Sequence, residues 1–149
     1  MTFRPSPRGA FFLGLLLVAS LPFLSRALAA PRGDRCSFDG IRLDASRAVR
    51  VVLATGSSLA FCGVRCAVRW LDAKGSEPKE VFVTDEVTGR EIPAAGAVFV
   101  RSLVVSVPAT GDHVHVFADR AEALRHADAY RGVILEGSER PFGTGGRAR

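Results

Sequence analysis

The sequence predicts an α+β fold built from two repeated ββαβ units packed together, each with a small mixed or antiparallel sheet and one helix. Two observations carry this. The same succession of hydrophobic patterns occurs twice between residues 48 and 136, with period-two alternation for strands and a period of 3.6 for helices. Either copy alone would bury too little apolar surface to be stable, so the two are expected to share a core.

In the first unit, about residues 36–86, "AVRVVLA" is β-branched and alternating, "TGSS" is turn chemistry and "LAFC" is a second short strand. "GVRCAVRWLDA" then reads as a helix that stops at Lys74-Gly75, and "EVFVTD" as the returning strand. In the second unit, about residues 96–136, "AVFVRSLVVSVP" is extended, "ATGD" turns, "HVHVFAD" is a strand, "DRAEALRHADAY" a helix and "GVIL" the closing strand. Asp119 and Glu122 have capping-box spacing at the second helix start, where side chains satisfy amides that have no partner inside the helix.

What flanks the units sets the compartment. Arg4 and Arg8 precede an apolar run from Ala10 to Leu24, and Ala27-Leu28-Ala29 follows. These are the charged, apolar and cleavable parts of a secretory signal peptide, expected to occupy residues 1–30 and to be cut after Ala29 or Ala30. No cysteine stands at the cleavage site, so contact with the membrane is expected only through the leader before cleavage, and the mature chain is expected in the periplasm. The chain has 20 Lys and Arg against 15 Asp and Glu; the leader holds three arginines and no acid, which leaves 17 against 15, a net of +2. That is no nucleic-acid footprint. The end, residues 137–149, "GSERPFGTGGRAR", lacks apolar periodicity and reads as a disordered tail.

The chemistry concentrates in "FCGVRCAVRWL". Val64, Ala67, Val68 and Leu71 form one apolar helical stripe, and Cys62 and Cys66 fall on the opposite side, one turn apart. Arg65, Arg69 and the helix N-terminus are positive neighbours that would favour thiolate. Three readings stay open: a metal or redox site, a structural disulfide joining Cys36 to Cys62 or Cys66, and a buried inert pair. A Cys62–Cys66 bridge inside a regular helix would be geometrically awkward. "HVHVF" puts His113 and His115 on one strand face, either as imidazole ligands for copper or zinc or as the wet side of a half-exposed strand. His126, among charged residues, reads as solvated surface. No acid–base dyad, activated nucleophile, phosphate loop or cofactor fingerprint is present, so no enzymatic activity is expected.

Three stretches, "FCGVRCAVRWL", "VFVTDEVTGREIPAAGAVFVRS" and "VPATGDHVHVFADRAEALRHADAYRGVIL", resemble segments of the NosL family, exported copper-binding proteins that help mature nitrous oxide reductase. The resemblance runs from Cys36 to Leu135, with Cys66 on the family's cysteine, and it implies a doubled ββαβ architecture. The family's opening motif, Cys-x-x-Cys-Gly-Met, is altered: "CSFDGI" keeps Cys36 and Gly40 but has Asp39 and Ile41 in place of the second Cys and the Met. The turn methionine is also replaced, and the only methionine of the chain is Met1. The resemblance therefore implies a Cu(I) accessory protein or metallochaperone serving a periplasmic copper enzyme or its assembly factors, with ligands drawn from Cys36, Cys62, Cys66, His113 and His115. The alternatives are a thiol–disulfide protein using Cys62 and Cys66, and a metal-free protein-interaction domain.

Overall fold

The alternating valines of the first unit form β1 (Val49–Leu53), and a turn through Gly56, which takes a left-handed φ of 83°, leads into β2 (Ser58–Phe61). The helical stripe becomes α1 (Val64–Lys74), ended by Gly75 at φ 59°, a left-handed cap that a residue with a side chain seldom adopts. β3 (Pro78–Thr84) returns, and a short β4 (Glu91–Pro93), which lies outside both expected units, adds to its edge. The second unit follows with β5 (Val98–Arg101), β6 (Val114–Phe117), α2 (Arg120–Tyr130) and β7 (Val133–Ile134). This computed structural model describes residues 33–143; the leader expected over residues 1–30 lies outside them. Among the described residues no helix is long and apolar enough to cross a membrane.

The two sheets repeat one topology. Their strand orders are β2-β1-β3-β4 and β6-β5-β7, so each unit places its first strand between its second and third, and every pairing is antiparallel. The α+β fold and the internal repeat stand as the sequence implies. β5 is shorter than expected. After Ser102, whose amide donates to the carbonyl of His113, the chain leaves the sheet, and Leu103, Val104 and Val105 are exposed before Ser106 donates back to Asp112.

One core joins the units. Val49, Val51, Phe61 and Val83 of the first sheet, Val64 and Ala67 of α1, and Phe99 and Val116 of the second sheet form a single buried cluster. Val100 and Phe117, on the other face of the second sheet, pack under Ala123 and Ala127 of α2. The second sheet thus buries apolar side chains on both of its faces. Two buried carboxylates cross between the units. Asp112 accepts from the Arg65 amide at 2.8 Å, and Asp85 accepts from the Ala118 amide at 2.9 Å. Burial opposes the charge of Asp85, but the Thr88 hydroxyl and the Ala118, Thr88 and Val87 amides outweigh it and hold its carboxyl below the ordinary value.

Residues 137–143, the described part of the stretch that composition leaves without structure, lie against the fold. Gly137–Glu139 forms a 3-10 turn, and Arg140 donates to the carbonyls of Ala94, Ala95 and Ala97 at 2.8, 2.8 and 2.9 Å. Phe142 meets the buried Phe99 edge-on at 6.1 Å between ring centroids. A single arginine and a single aromatic ring are enough to dock a stretch that periodicity leaves blank.

Candidate metal centre

The segment Arg35–Arg42 folds back on itself as a tight loop. The amides of Cys36 and Gly40 donate to the carbonyls of Ile41 and Cys36, at 2.7 and 2.9 Å, and Gly40 takes a left-handed φ of 73°. The Ser37 amide donates to Ala60 at the free edge of β2, which lays this loop over the start of α1. That placement explains a difference from the helical wheel. Cys66 lies opposite the apolar stripe, yet it is 3% exposed, because the Cys36 loop covers that face. Cys62 precedes Gly63, the cap residue, and so stands just outside the helix.

Cys36, Cys62, Cys66 and Asp39 come together, with one sulfur or carboxylate oxygen from each all within 4.8 Å of one another. The Cys66 thiol donates to Oδ2 of Asp39 at 3.1 Å, while Cys62 Sγ lies 3.5 Å from the same oxygen and 3.4 Å from Cys66 Sγ. The Ile41 amide holds the other oxygen, Oδ1, at 3.0 Å. All three cysteines are free thiols and buried, whereas Asp39 is exposed and forms the solvent side of the cluster.

Cys62 and Cys66 are not poised as thiolates. Burial pushes Cys62 and Cys66 well above the ordinary thiol value, and the Asp39 carboxylate, as hydrogen-bond acceptor to Cys66 and as a negative charge beside both, raises them further. The arginines expected to do the opposite face elsewhere: Arg65 Nη1 donates to the carbonyls of Thr110 and Gly111, and Arg69 lies over the Phe38 ring. The counterpart is Asp39 itself. What desolvation it has works against its charge, but the Cys66 thiol, the Ile41 amide and the thiols of Cys36 and Cys62 hold its carboxyl below the ordinary value. The four side chains together are a donor set that could hold a metal ion.

His113 and His115 are not brought into this cluster. Strand alternation holds, since both imidazoles converge on one acceptor, the carbonyl of Val104, each at 3.1 Å. That face belongs to α2. His115 is buried, its Nδ1 lies 2.9 Å from a Glu86 carboxylate oxygen, and its ring centroid lies 4.2 Å from that of His126 at a 41° tilt, while Val114 and Val116 turn to the core that holds the thiols. Burial opposes a positive charge on His115, but Glu86 and the Val104 carbonyl prevail and raise its pKa. His126 is accordingly no solvated surface residue. It is half-buried, in reach of Ser102 Oγ at 3.1 Å and tilted against the Tyr130 ring, and burial and the neighbouring His115 lower its pKa. Asp39 is the member that sequence reasoning missed, although its place inside "CSFDGI", three residues after Cys36, was the available signal.

By sequence the chain matches no family model and no curated protein. By structure it is similar to the copper chaperone NosL from Shewanella denitrificans, at a TM-score of 0.61 and 19% identity over 70% of this chain and 87% of that one. The protein is an α+β chain with the NosL fold that gathers three thiols and a carboxylate at one point.

Proposed function

We propose that the protein binds one Cu(I) ion through Cys36, Cys62 and Cys66 and passes it to another exported protein without catalysing a reaction. The convergence of three free thiols within 4.8 Å carries this reading. Thiolate sulfur is a soft donor that selects Cu(I) over hard cations, and two or three such ligands leave room for an acceptor's ligand to attack. The likeness in fold to a protein described as a copper chaperone supports it, as does the leader that would carry the chain to the periplasm.

The test is titration of the reduced protein with Cu(I) against a competing chelator. About one equivalent should bind, and the double change Cys62→Ser with Cys66→Ser should abolish binding in a protein that still folds. Unchanged affinity in that folded double mutant would remove the site from this loop and helix. A second reading, thiol–disulfide exchange, is favoured by one observation: Cys62 and Cys66 sulfurs lie 3.4 Å apart, and Cys62 is free of helical geometry. A measured reduction potential separates the two, because a carrier needs its dithiol to stay reduced in an oxidising compartment.

A further inference from the structure

Three exposed arginines border the thiol cluster, and among the described residues none of them is paired with a carboxylate. Arg35 precedes Cys36, while Arg65 and Arg69 stand one turn apart on α1, on either side of Cys66 in the chain. Arg35 Nη1 donates to the Gly40 carbonyl at 3.0 Å, and Arg65 Nη1 donates to the carbonyls of Thr110 and Gly111 at 3.2 and 3.1 Å. The Arg69 guanidinium lies 5.6 Å from the centre of the Phe38 ring. A carbonyl or a ring fixes where a guanidinium points but does not cancel its charge.

The rest of the surface is arranged differently. Arg50, Arg120 and Arg125 meet Glu91, Glu136 and Glu122 in ion pairs. Arg90 and Arg131, which also pair with no carboxylate among the described residues, stand singly, one in the turn after β3 and one at the end of α2. Beside the cluster the acids do not answer the arginines: Asp39 is turned to the thiols, Asp34 lies 3.9 Å from Arg42, and Asp72 on a later turn of α1 pairs with none of the three. Phe38 adds an apolar element, 40% exposed on the loop that closes the cluster. Arginine and aromatic side chains set together are the residue types enriched where protein interfaces draw their energy.

We propose that the face formed by Arg35, Phe38, Arg65 and Arg69 is a docking surface for an acidic protein. Charge complementarity selects the occupant. A planar guanidinium offers parallel N–H groups that match a carboxylate, and opposed charges speed the encounter and set its orientation. An anionic lipid surface is served less well, because it usually takes about four to eight clustered basic residues, and here three surround an apolar ring. Identifying the acidic protein as the one that exchanges copper rests on the proposed function. Asp39 forms the solvent side of the cluster, so an acceptor seated on these arginines would have its own ligand at the point of entry.

The experiment titrates the isotope-labelled, reduced, metal-free protein with a glutamate homopeptide, and in parallel with phosphatidylglycerol vesicles. Amide shifts caused by the peptide should concentrate in Arg35–Arg42 and the first turns of α1, and they should fade as salt is added. Arg65→Gln with Arg69→Gln should weaken the peptide about fivefold. Arg69→Gln alone, which leaves the Thr110 and Gly111 carbonyls their donor, should weaken it less and melt as the parent does. Arg120→Gln with Arg125→Gln removes the same charge from α2 and should change nothing. Shifts spread evenly over the surface, an unchanged affinity in the Arg65 and Arg69 double variant, or tighter binding of this face to the vesicles than to the peptide would overturn the inference. Cu(I) titration of the same samples keeps the two readings apart. Copper bound without localised shifts leaves the copper reading and removes the docking face, whereas localised shifts without copper leave an acidic docking face and remove the copper reading.

Discussion

Helix α1 begins at Gly63, which offers no side-chain cap, and takes its cap from Asp112 in the other unit, whereas α2 begins at its own Asp119, which accepts from the Ala121 and Glu122 amides at 2.8 and 3.1 Å. Gly63 is required for this in the plainest spatial sense. A Cβ there would come within 2.9 Å of both Asp112 Oδ2 and Val107 Cγ2, although its φ of −179° is open to any residue. The second unit is locally self-sufficient at its helix start. The unit that carries the thiols is not, and the geometry of Cys62 and Cys66 is tied to a carboxylate supplied from outside their own repeat.

The comparison is broken most severely by separating the units. A fragment ending at Ala94 loses Asp112 together with Phe99 and Val116 of the shared core, and it should show no cooperative unfolding transition, while the whole protein melts in one. A dispersed NMR spectrum from the fragment would mean that α1 does not need its remote cap. In the intact protein, Asp112→Ala strands the amides of Arg65 and Val114, which it holds at 2.8 and 3.0 Å. Denaturant titration should register a loss of about 3 kcal/mol. Gly63→Ala should cost about 2 kcal/mol by overpacking, and it should also weaken Cu(I) binding, since the cap carboxylate and the neighbouring Cys62 must move. The local cap is the control: Asp119→Ala should cost about 1 kcal/mol and leave metal binding unchanged. Equal losses at Asp112 and Asp119 would erase the distinction between the helices.

Two smaller effects depend on pH. Asp85 has a folded pKa below 3.8, so its contribution is present above that value and is lost as pH falls through the lowered folded one. Asp85→Asn should therefore flatten the acid limb of the stability profile. His115 has the opposite sign. Its folded pKa is above 6.5, so the Glu86 pair stabilises fully below that value and the contribution fades as pH rises through the raised folded one. Glu86→Gln should remove that slope above pH 6.5, read as denaturation midpoints across pH.

The pattern of strands and helices was legible because each element announces its own period, and Gly75 and Asp119 mark a helix end and a helix start in the sequence itself. The three cysteines were legible as chemistry, and the structure gathers them. What escaped depends on segments far apart in sequence. The wheel sees one face of α1 and cannot see the loop Arg35–Arg42 that covers the other, so it left open whether Cys66 is buried and made its thiol look acidic. Asp39 is an ordinary turn residue until Cys62 and Cys66 are set beside it. Alternation put His113 and His115 on one face correctly, but nothing local says that α2 covers that face and that both rings meet the Val104 carbonyl. The crossed carboxylates, Asp85 and Asp112, look in the sequence like two turn residues.

Sulfur at the loop over α1 is proposed to hold the metal, while the imidazoles of His113 and His115 both meet the Val104 carbonyl on another face. X-ray absorption of the Cu(I)-loaded, reduced protein tests that most directly, since sulfur ligands and the outer-shell scattering of a bound imidazole are distinguishable. The predicted spectrum contains sulfur neighbours only and is the same after His113→Ala with His115→Ala. An imidazole signature that disappears in that double variant would place the copper on β6 and contradict the account.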